Sequence, residues 1–186
     1  MEESIKDEAL DRIVAAMNAI RVGAWHEDLD MGPLVSQAQF DKVVGHLDSA
    51  KVEGARAITG GQAQDGWFVQ PTVFDQVDSS MRVVREEIFG PVLTVQTFGG
   101  LQQVTEMIND TNFGLMTAVW TNDVSLALRL AKDAHAGQVT VNQYGDAGAI
   151  GFPFNMQKDS GFGTGGYDSM AEYTQEKAVS IKLLDR

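Results

Sequence analysis

Cysteine is missing from all 186 residues, which removes disulfides, thiolate nucleophiles and cysteine metal sites together. Histidine is scarce, at His26, His46 and His135. The three lie far apart without HxxxH-type spacing, so no sequence-local histidine metal site is present. Basic residues are few: 14 Lys and Arg stand against 26 Asp and Glu, for a net charge of −12. Such a field repels nucleic-acid phosphates and anionic membrane surfaces, and the cations are scattered rather than clustered. No stretch approaches the ~18 consecutive apolar residues of a membrane-spanning helix. The opening Met1-Glu2-Glu3-Ser4-Ile5-Lys6-Asp7-Glu8 is acidic where a secretory signal is basic and then apolar. A cytoplasmic protein is expected, with no nucleic-acid partner, no membrane partner and no metal.

What is present is an ordinary globular composition, 44% apolar and 22% charged, on a chain long enough for one domain with a real core. Ile5, Leu10, Ile13, Val14, Met17 and Ile20 repeat at helical spacing up to Gly23. One face of that helix is apolar and needs a cover. Ser36 and Gln39 form a capping-box pattern ahead of Phe40, Val43, Val44 and Leu47, a second helix ending at Gly54. Ala55–Thr59 with Gly60-Gly61 reads as a strand and turn. Phe68–Phe74 is extended, and Pro71 makes it an edge or irregular strand. From Val92 to Asn142 the pattern alternates: a strand over Val92–Phe98, a helix over Leu101–Asn109, a strand over Leu115–Trp120, a helix capped by Asp123, a strand over Val139–Val141. Such alternation indicates an α/β fold, a mostly parallel sheet with crossover helices.

Residues 143–167 differ, holding seven of the nineteen glycines and little regular pattern. A loop this long in a compact domain is usually functional or disordered. A helical turn near Asp168–Tyr173 follows. Last comes Ala178–Leu184, where Val179, Ile181 and Leu183 alternate with Ser180 and Lys182, a strand suited to pairing within the domain or with another subunit.

Arg85-Glu86-Glu87-Ile88-Phe89-Gly90-Pro91-Val92 is the most informative stretch. A charged loop with Phe89 as a core plug is the plain account of it. The functional account uses Glu87 as an acceptor for ligand hydroxyls and Phe89 as an apolar wall. Glu86-Glu87-Ile88-Phe89-Gly90-Pro91 resembles the EEIFGP motif of the aldehyde dehydrogenase superfamily. Other pieces resemble that family in its order: Arg21-Val22-Gly23, Met31-Gly32-Pro33-Leu34, Gly66-Trp67-Phe68-Val69-Gln70-Pro71-Thr72-Val73-Phe74, Asn112-Phe113-Gly114-Leu115 and Ala136-Gly137-Gln138-Val139-Thr140-Val141-Asn142. Pro153-Phe154, Lys158-Asp159-Ser160-Gly161 and Tyr173-Thr174-Gln175-Glu176-Lys177 complete the series.

The resemblance implies an aldehyde dehydrogenase catalytic-domain fold, with residues 1–177 as part of that domain, an active-site loop over 143–167 and an oligomerisation strand over 178–186. It implies that Glu87 hydrogen-bonds a nicotinamide ribose, that Phe89 packs beside that ribose, and that Phe154 lines the substrate tunnel. The family's catalytic cysteine, general-base glutamate, oxyanion asparagine and dinucleotide-binding domain have no counterpart in these residues. NAD(P) therefore belongs to the complete family enzyme, and this chain alone is expected to bind no cofactor and oxidise no aldehyde. One departure falls within the matching region. Where the family reads Phe-Gly-Gly-Tyr-Lys, this chain has Phe154-Asn155-Met156-Gln157-Lys158, with side chains where glycine allows close approach or positive φ.

Two other readings compete with a catalytic-domain fragment. A small esterase-like hydrolase would draw on Ser36, Ser49, Ser160 or Ser169 with His46 or His135. No GxSxG elbow is present; Ser36 reads better as a helix cap, and both histidines as solvated or locally bonded imidazoles on helices. A non-catalytic partner would instead associate with a second copy, or with a full-length relative, through residues 178–184.

Overall fold

In the computed structural model, which describes residues 1–144 and 154–182, the apolar repeat at the start becomes helix α1 (Lys6–Ala19). The chain divides into two units, Met1–Met107 and Ile108–Arg186. In the first unit α2 (Gln37–Val52) starts at Ser36, whose hydroxyl accepts the Gln39 N–H at 3.2 Å. That bond satisfies one of the donors a helix start leaves over. The helix is released through Gly54, at φ 94.

Strands β1 (Arg56–Thr59), β2 (Ala63–Gln64), β3 (Phe68–Val69) and β4 (Thr72–Asp75) follow, then the short helix α3 (Arg82–Arg85), β5 (Val92–Thr94) and α4 (Leu101–Asn109). The sheet has the order β1-β4-β5, with β4 antiparallel to β1 and parallel to β5. All four residues of β4 are buried. Their alternation divides the core in two: Phe74 joins Val43, Leu47, Ala50, Val83 and Ile88 on the α2 side, while Val73 joins Leu10 and Val95, with Ile13 and Met17, on the α1 side. The apolar face of α1 thus has its cover. Full burial of side chains such as Val43, Leu47 and Phe74 is worth about 1.5–3 kcal/mol each.

Of the two expectations for Phe68–Phe74, the irregular strand holds and the edge strand does not. Pro71 separates β3 from β4, and β4 is the central strand. The ladder donor needed here is the Thr72 N–H, which reaches the Pro91 carbonyl at 2.8 Å, so the imino nitrogen one residue earlier costs nothing. The turn before it uses Gly60 and Gly61, both at positive φ. A side chain on Gly60 would strike the Pro71 carbonyl.

The second unit contains β6 (Phe113–Gly114), β7 (Met116–Val119), α5 (Val124–Asp133), β8 (Gln138–Val141), β9 (Phe154–Asn155), β10 (Gln157–Lys158) and β11 (Thr164–Gly165), then a 3₁₀ turn over Tyr167–Tyr173. Asp123 caps α5 as expected, its carboxylate accepting from the N–H groups of Ser125 and Leu126 at 2.8 and 3.1 Å. Helix α5 carries the crossover between the parallel pair β7 and β8. The expected alternation therefore yields an α/β architecture, with β5 paired to β4 in the first unit and β7 to β8 in the second. Part of the glycine-rich loop is more ordered than its sequence suggests: β9 pairs with β11, and β10 with β6. Its residues 145–153 lie outside the described residues. Among the described residues, 174–182 form no strand, so the strand expected over Ala178–Leu184 is not formed in its described part.

Candidate functional site

The turn from Glu86 to Pro91 is shaped by α2. Phe89 sits at φ 53, a left-handed conformation that costs a side-chain-bearing residue about 1–2 kcal/mol. Gln39, one turn into α2, donates its side-chain amide to the carbonyls of Ile88 and Phe89 at 2.9 and 3.0 Å. One turn later, Val43 meets the backbone of Gly90 so closely that a Cβ there would lie 2.7 Å from Val43 Cγ2. Between them Lys42 places its ammonium 5.7 Å from the centre of the Phe89 ring, a cation–π contact. Three α2 residues thus grip one turn by hydrogen bonding, close packing and charge.

The Phe89 ring that this turn presents is 69% exposed, so it is not the core plug that the plain account of the stretch supposes. The plug is Ile88, which is buried in the α2-side core. Phe89 and the exposed Glu87 line a shallow depression of about 320 Å³ with Val92 and Thr94. On its other side Phe89 borders a second depression, about 440 Å³, with Met31, Gly32, Pro33 and Leu34. A carboxylate beside an exposed aromatic ring suits a ligand with hydroxyl donors next to a flat apolar group.

The Met31-Gly32-Pro33-Leu34 segment is delivered by a closed loop. Arg21 clamps Asp30 through Nε at 3.0 Å and a second guanidinium nitrogen at 3.1 Å, while its own N–H reaches the same carboxylate at 2.9 Å. The Arg21 side chain, helped by its backbone N–H, lowers the Asp30 carboxyl to about 2. The Gly23 N–H then donates to the Met31 carbonyl at 3.0 Å.

Of the residues singled out in the sequence, Glu87 and Phe89 come together on one rim. Phe154 begins β9 in the other unit, and its side chain lies outside the described residues. In the sequence Gln39 carries no sign of a site residue, because its position suits a capping box. Ser36 makes its half of that box, but the Gln39 side chain turns to the Ile88–Phe89 carbonyls instead. No local signal points to partners so far along the chain.

The serines and histidines offer no nucleophile–base pair among the described residues. Ser36 caps α2, Ser49 donates to the His46 carbonyl, Ser160 accepts from the Gly114 N–H, and Ser169 donates to the Gly166 carbonyl. His46 departs from the expected solvated or locally bonded imidazole. It is fully buried, and neither ring nitrogen has a hydrogen-bond partner. Its position three residues after Val43 puts it on the core face of α2. Among the described residues no cluster of His, Asp and Glu could hold a metal ion, and no helix is long and apolar enough to cross a membrane.

Residues 1–179 match the family model described as the aldehyde dehydrogenase family. The chain is 37% identical over 193 residues to a betaine aldehyde dehydrogenase of Mesorhizobium japonicum, covering 100% of this chain and 39% of that protein. It is 38% identical over 191 residues to aminoaldehyde dehydrogenase 1, peroxisomal, of Pisum sativum, covering 100% of this chain and 37% of that one. Among solved structures it superposes on indole-3-acetaldehyde dehydrogenase complexed with NAD+ at a TM-score of 0.92 and 38% identity, covering 98% of this chain and 38% of that one. A betaine aldehyde dehydrogenase from Staphylococcus aureus in complex with NAD+ gives 0.86 and 35%, covering 92% and 36%. The chain thus spans under two-fifths of the length of these relatives.

Proposed function

The chain belongs to the aldehyde dehydrogenase family, and we propose that its 186 residues supply the ribose-facing wall of an NAD(P) site without oxidising aldehydes on their own. The observation that carries this reading is the Glu87–Phe89 rim. An exposed aromatic ring is held at a strained φ by hydrogen bonds from Gln39, beside a carboxylate with its acceptors open to solvent. A protein does not maintain such strain for packing that it does not gain. A ribose diol donates two hydroxyl protons, which a carboxylate accepts, and its neighbouring ring needs an apolar face. The residues present therefore fit the nucleotide, which Glu87 and Phe89 would hold in the complete family enzyme. Bound NAD(P) supplies the hydride acceptor for aldehyde oxidation. By the same resemblance we propose that Phe154 contacts the aldehyde in the complete family enzyme.

Dehydrogenase turnover further requires a thiolate to attack the carbonyl carbon and a base to activate water for release of the acid. No thiol exists in this sequence. The purified chain is therefore expected to produce no NADH with betaine aldehyde, aminoaldehydes or indole-3-acetaldehyde, the aldehydes for which these relatives are named. Turnover within the usual enzymatic range of about 1–1000 s⁻¹ would overturn the proposal. Because the chain alone is expected to bind no cofactor, added NAD should leave the amide NMR signals of Glu87–Gly90 unmoved; a saturable shift that Glu87→Gln weakens would show instead that this wall holds the nucleotide by itself.

We also propose self-association through residues 178–184. Val179 and Ile181 are 72% and 76% exposed, and their alternation suits a strand completed by a second copy. Light scattering should give a mass above 20.2 kDa. A monomer at high concentration, or an oligomer that survives Ile181→Pro, would remove this part of the reading.

A further inference from the structure

We propose that His46 is a positioning residue whose protonation sets the pose of Glu86 and, through it, of the Glu87–Phe89 rim. The proposal rests on the reading of that rim as a ligand wall. It starts from a fully buried imidazole with both nitrogens unpartnered, an arrangement that proteins rarely leave unexplained. His46 Nε2 stops 3.7 Å from Glu86 Oε2, too far for a hydrogen bond. That same oxygen accepts from Arg82 Nε at 3.1 Å.

Among the described residues, four charged groups act on the ring. Arg82 on α3 and Lys42 on α2 oppose a charge on it, whereas Glu86 and Glu53 favour one. Burial is the largest influence and holds the imidazole below the ordinary histidine range. At neutral pH the ring is therefore uncharged, and the Glu86 carboxylate remains with Arg82. Below that range, an imidazolium in a buried setting must find a counter-ion. Glu53 is engaged, accepting the Arg82 backbone N–H at 2.9 Å. Glu86, with half of its side chain in solvent, is the carboxylate able to move. Shortening 3.7 Å to a charge-assisted bond of about 2.8 Å draws it inward by about 0.9 Å. Glu86 directly precedes Glu87 in the chain, so this displacement is delivered to the rim.

The test is an NMR pH titration of the isotope-labelled 186-residue chain from pH 7.5 to 5, without nucleotide. The His46 ring signals should titrate on the acid side of pH ~6.5, with the Glu87, Ile88 and Phe89 amides moving at the same midpoint. His46→Phe, of similar volume and without a proton to bind, should abolish the amide movement. Glu86→Gln, at an exposed position that leaves the core intact, should also abolish it and shift the His46 midpoint further down. The proposal is overturned if those amides stay still while His46 titrates, or if they move unchanged in either variant. Because no nucleotide is present, this result stands apart from whether NAD binds the rim: either finding can fail without the other.

Discussion

Replacing Gln39 by methionine keeps the length of the side chain and removes the two hydrogen bonds that hold the Ile88 and Phe89 carbonyls. Each such bond contributes about 0.5–1.5 kcal/mol net. Both carbonyls can regain water near the surface, so the expected loss is toward the lower part of the sum, about 1–2 kcal/mol. For a chain of this size, that lowers Tm by roughly 2–8 °C. Phe89→Gly supplies the sharper half of the test. Glycine relieves about 1–2 kcal/mol of left-handed strain at this φ. It gives back about 0.5–1 kcal/mol in backbone entropy and about 0.5–1 kcal/mol of cation–π contact with Lys42. The terms nearly cancel, leaving stability within about 0.5 kcal/mol of the parent although a whole aromatic side chain is lost. Urea denaturation followed by tryptophan fluorescence measures both substitutions. If Gln39→Met proves neutral while Phe89→Gly costs the 3–5 kcal/mol typical of deleting a buried aromatic, Phe89 is a core plug and the site reading fails.

Two further outcomes follow from close packing and from charge. Gly90→Ala places its Cβ 2.7 and 3.0 Å from the Val43 methyls. It should cost about 1–3 kcal/mol by overpacking, and Val43→Ala in the same chain should recover part of that loss; strictly additive costs would refute the contact. The Asp30 carboxyl, lowered to about 2 by Arg21, stays ionised well below its unfolded value of 3.8. Its contribution to stability is therefore complete above pH ~3.8 and is lost as pH falls through about 2. Carboxyl NMR should place the midpoint near 2, Arg21→Met should return it toward the ordinary range, and an unmoved midpoint would refute the clamp.

Local chemistry made much of the fold legible. The Ser36 and Asp123 caps, the Gly60-Gly61 turn and the β7–α5–β8 crossover each depend on residues close together in the chain. What escaped depends on distant partners. Pro71 argued against a central strand, but the donor β4 needs is on Thr72, and its acceptor belongs to Pro91. His46 lies on the core face of α2, where helical spacing places it, yet imidazole chemistry alone suggests a solvated or locally bonded ring. Gln39 could be read as a cap because nothing nearby announces the Ile88 and Phe89 carbonyls. Glu87 and Phe89 were found through a motif, since neither exposure nor left-handed φ has a signature in their immediate neighbours. The structure adds the reason the motif holds its shape, which is the grip of α2.

The departure at Phe154-Asn155-Met156-Gln157-Lys158 gains a different meaning once the backbone is known. Neither Asn155 nor Met156 is at positive φ, so side chains at these two positions carry no left-handed penalty. Asn155 instead pairs within β9–β11, although its buried Oδ1 has no hydrogen-bond partner. The position that cannot accept a side chain is Gly137, across from it. A Cβ there would land on the Asn155 carbonyl, with the Asn155 Cα 3.2 Å away. Those are backbone atoms, so no rotamer change can relieve the collision. Gly137 also donates its N–H to the Gly114 carbonyl at 3.0 Å, which prevents it from backing away freely. Gly137→Ala should therefore cost at least the 1–3 kcal/mol of ordinary overpacking. It should also speed amide exchange in Met116–Val119 and Gln138–Val141, the paired strands that flank the collision. Gly32→Ala is the control, because nothing lies within 4 Å of its Cβ; it should stay within about 0.5 kcal/mol of the parent. If the two alanine variants proved equally stable, the approach of Asn155 to Gly137 would not be what holds this loop in place, and the tolerance of the Asn-Met replacement would need another cause.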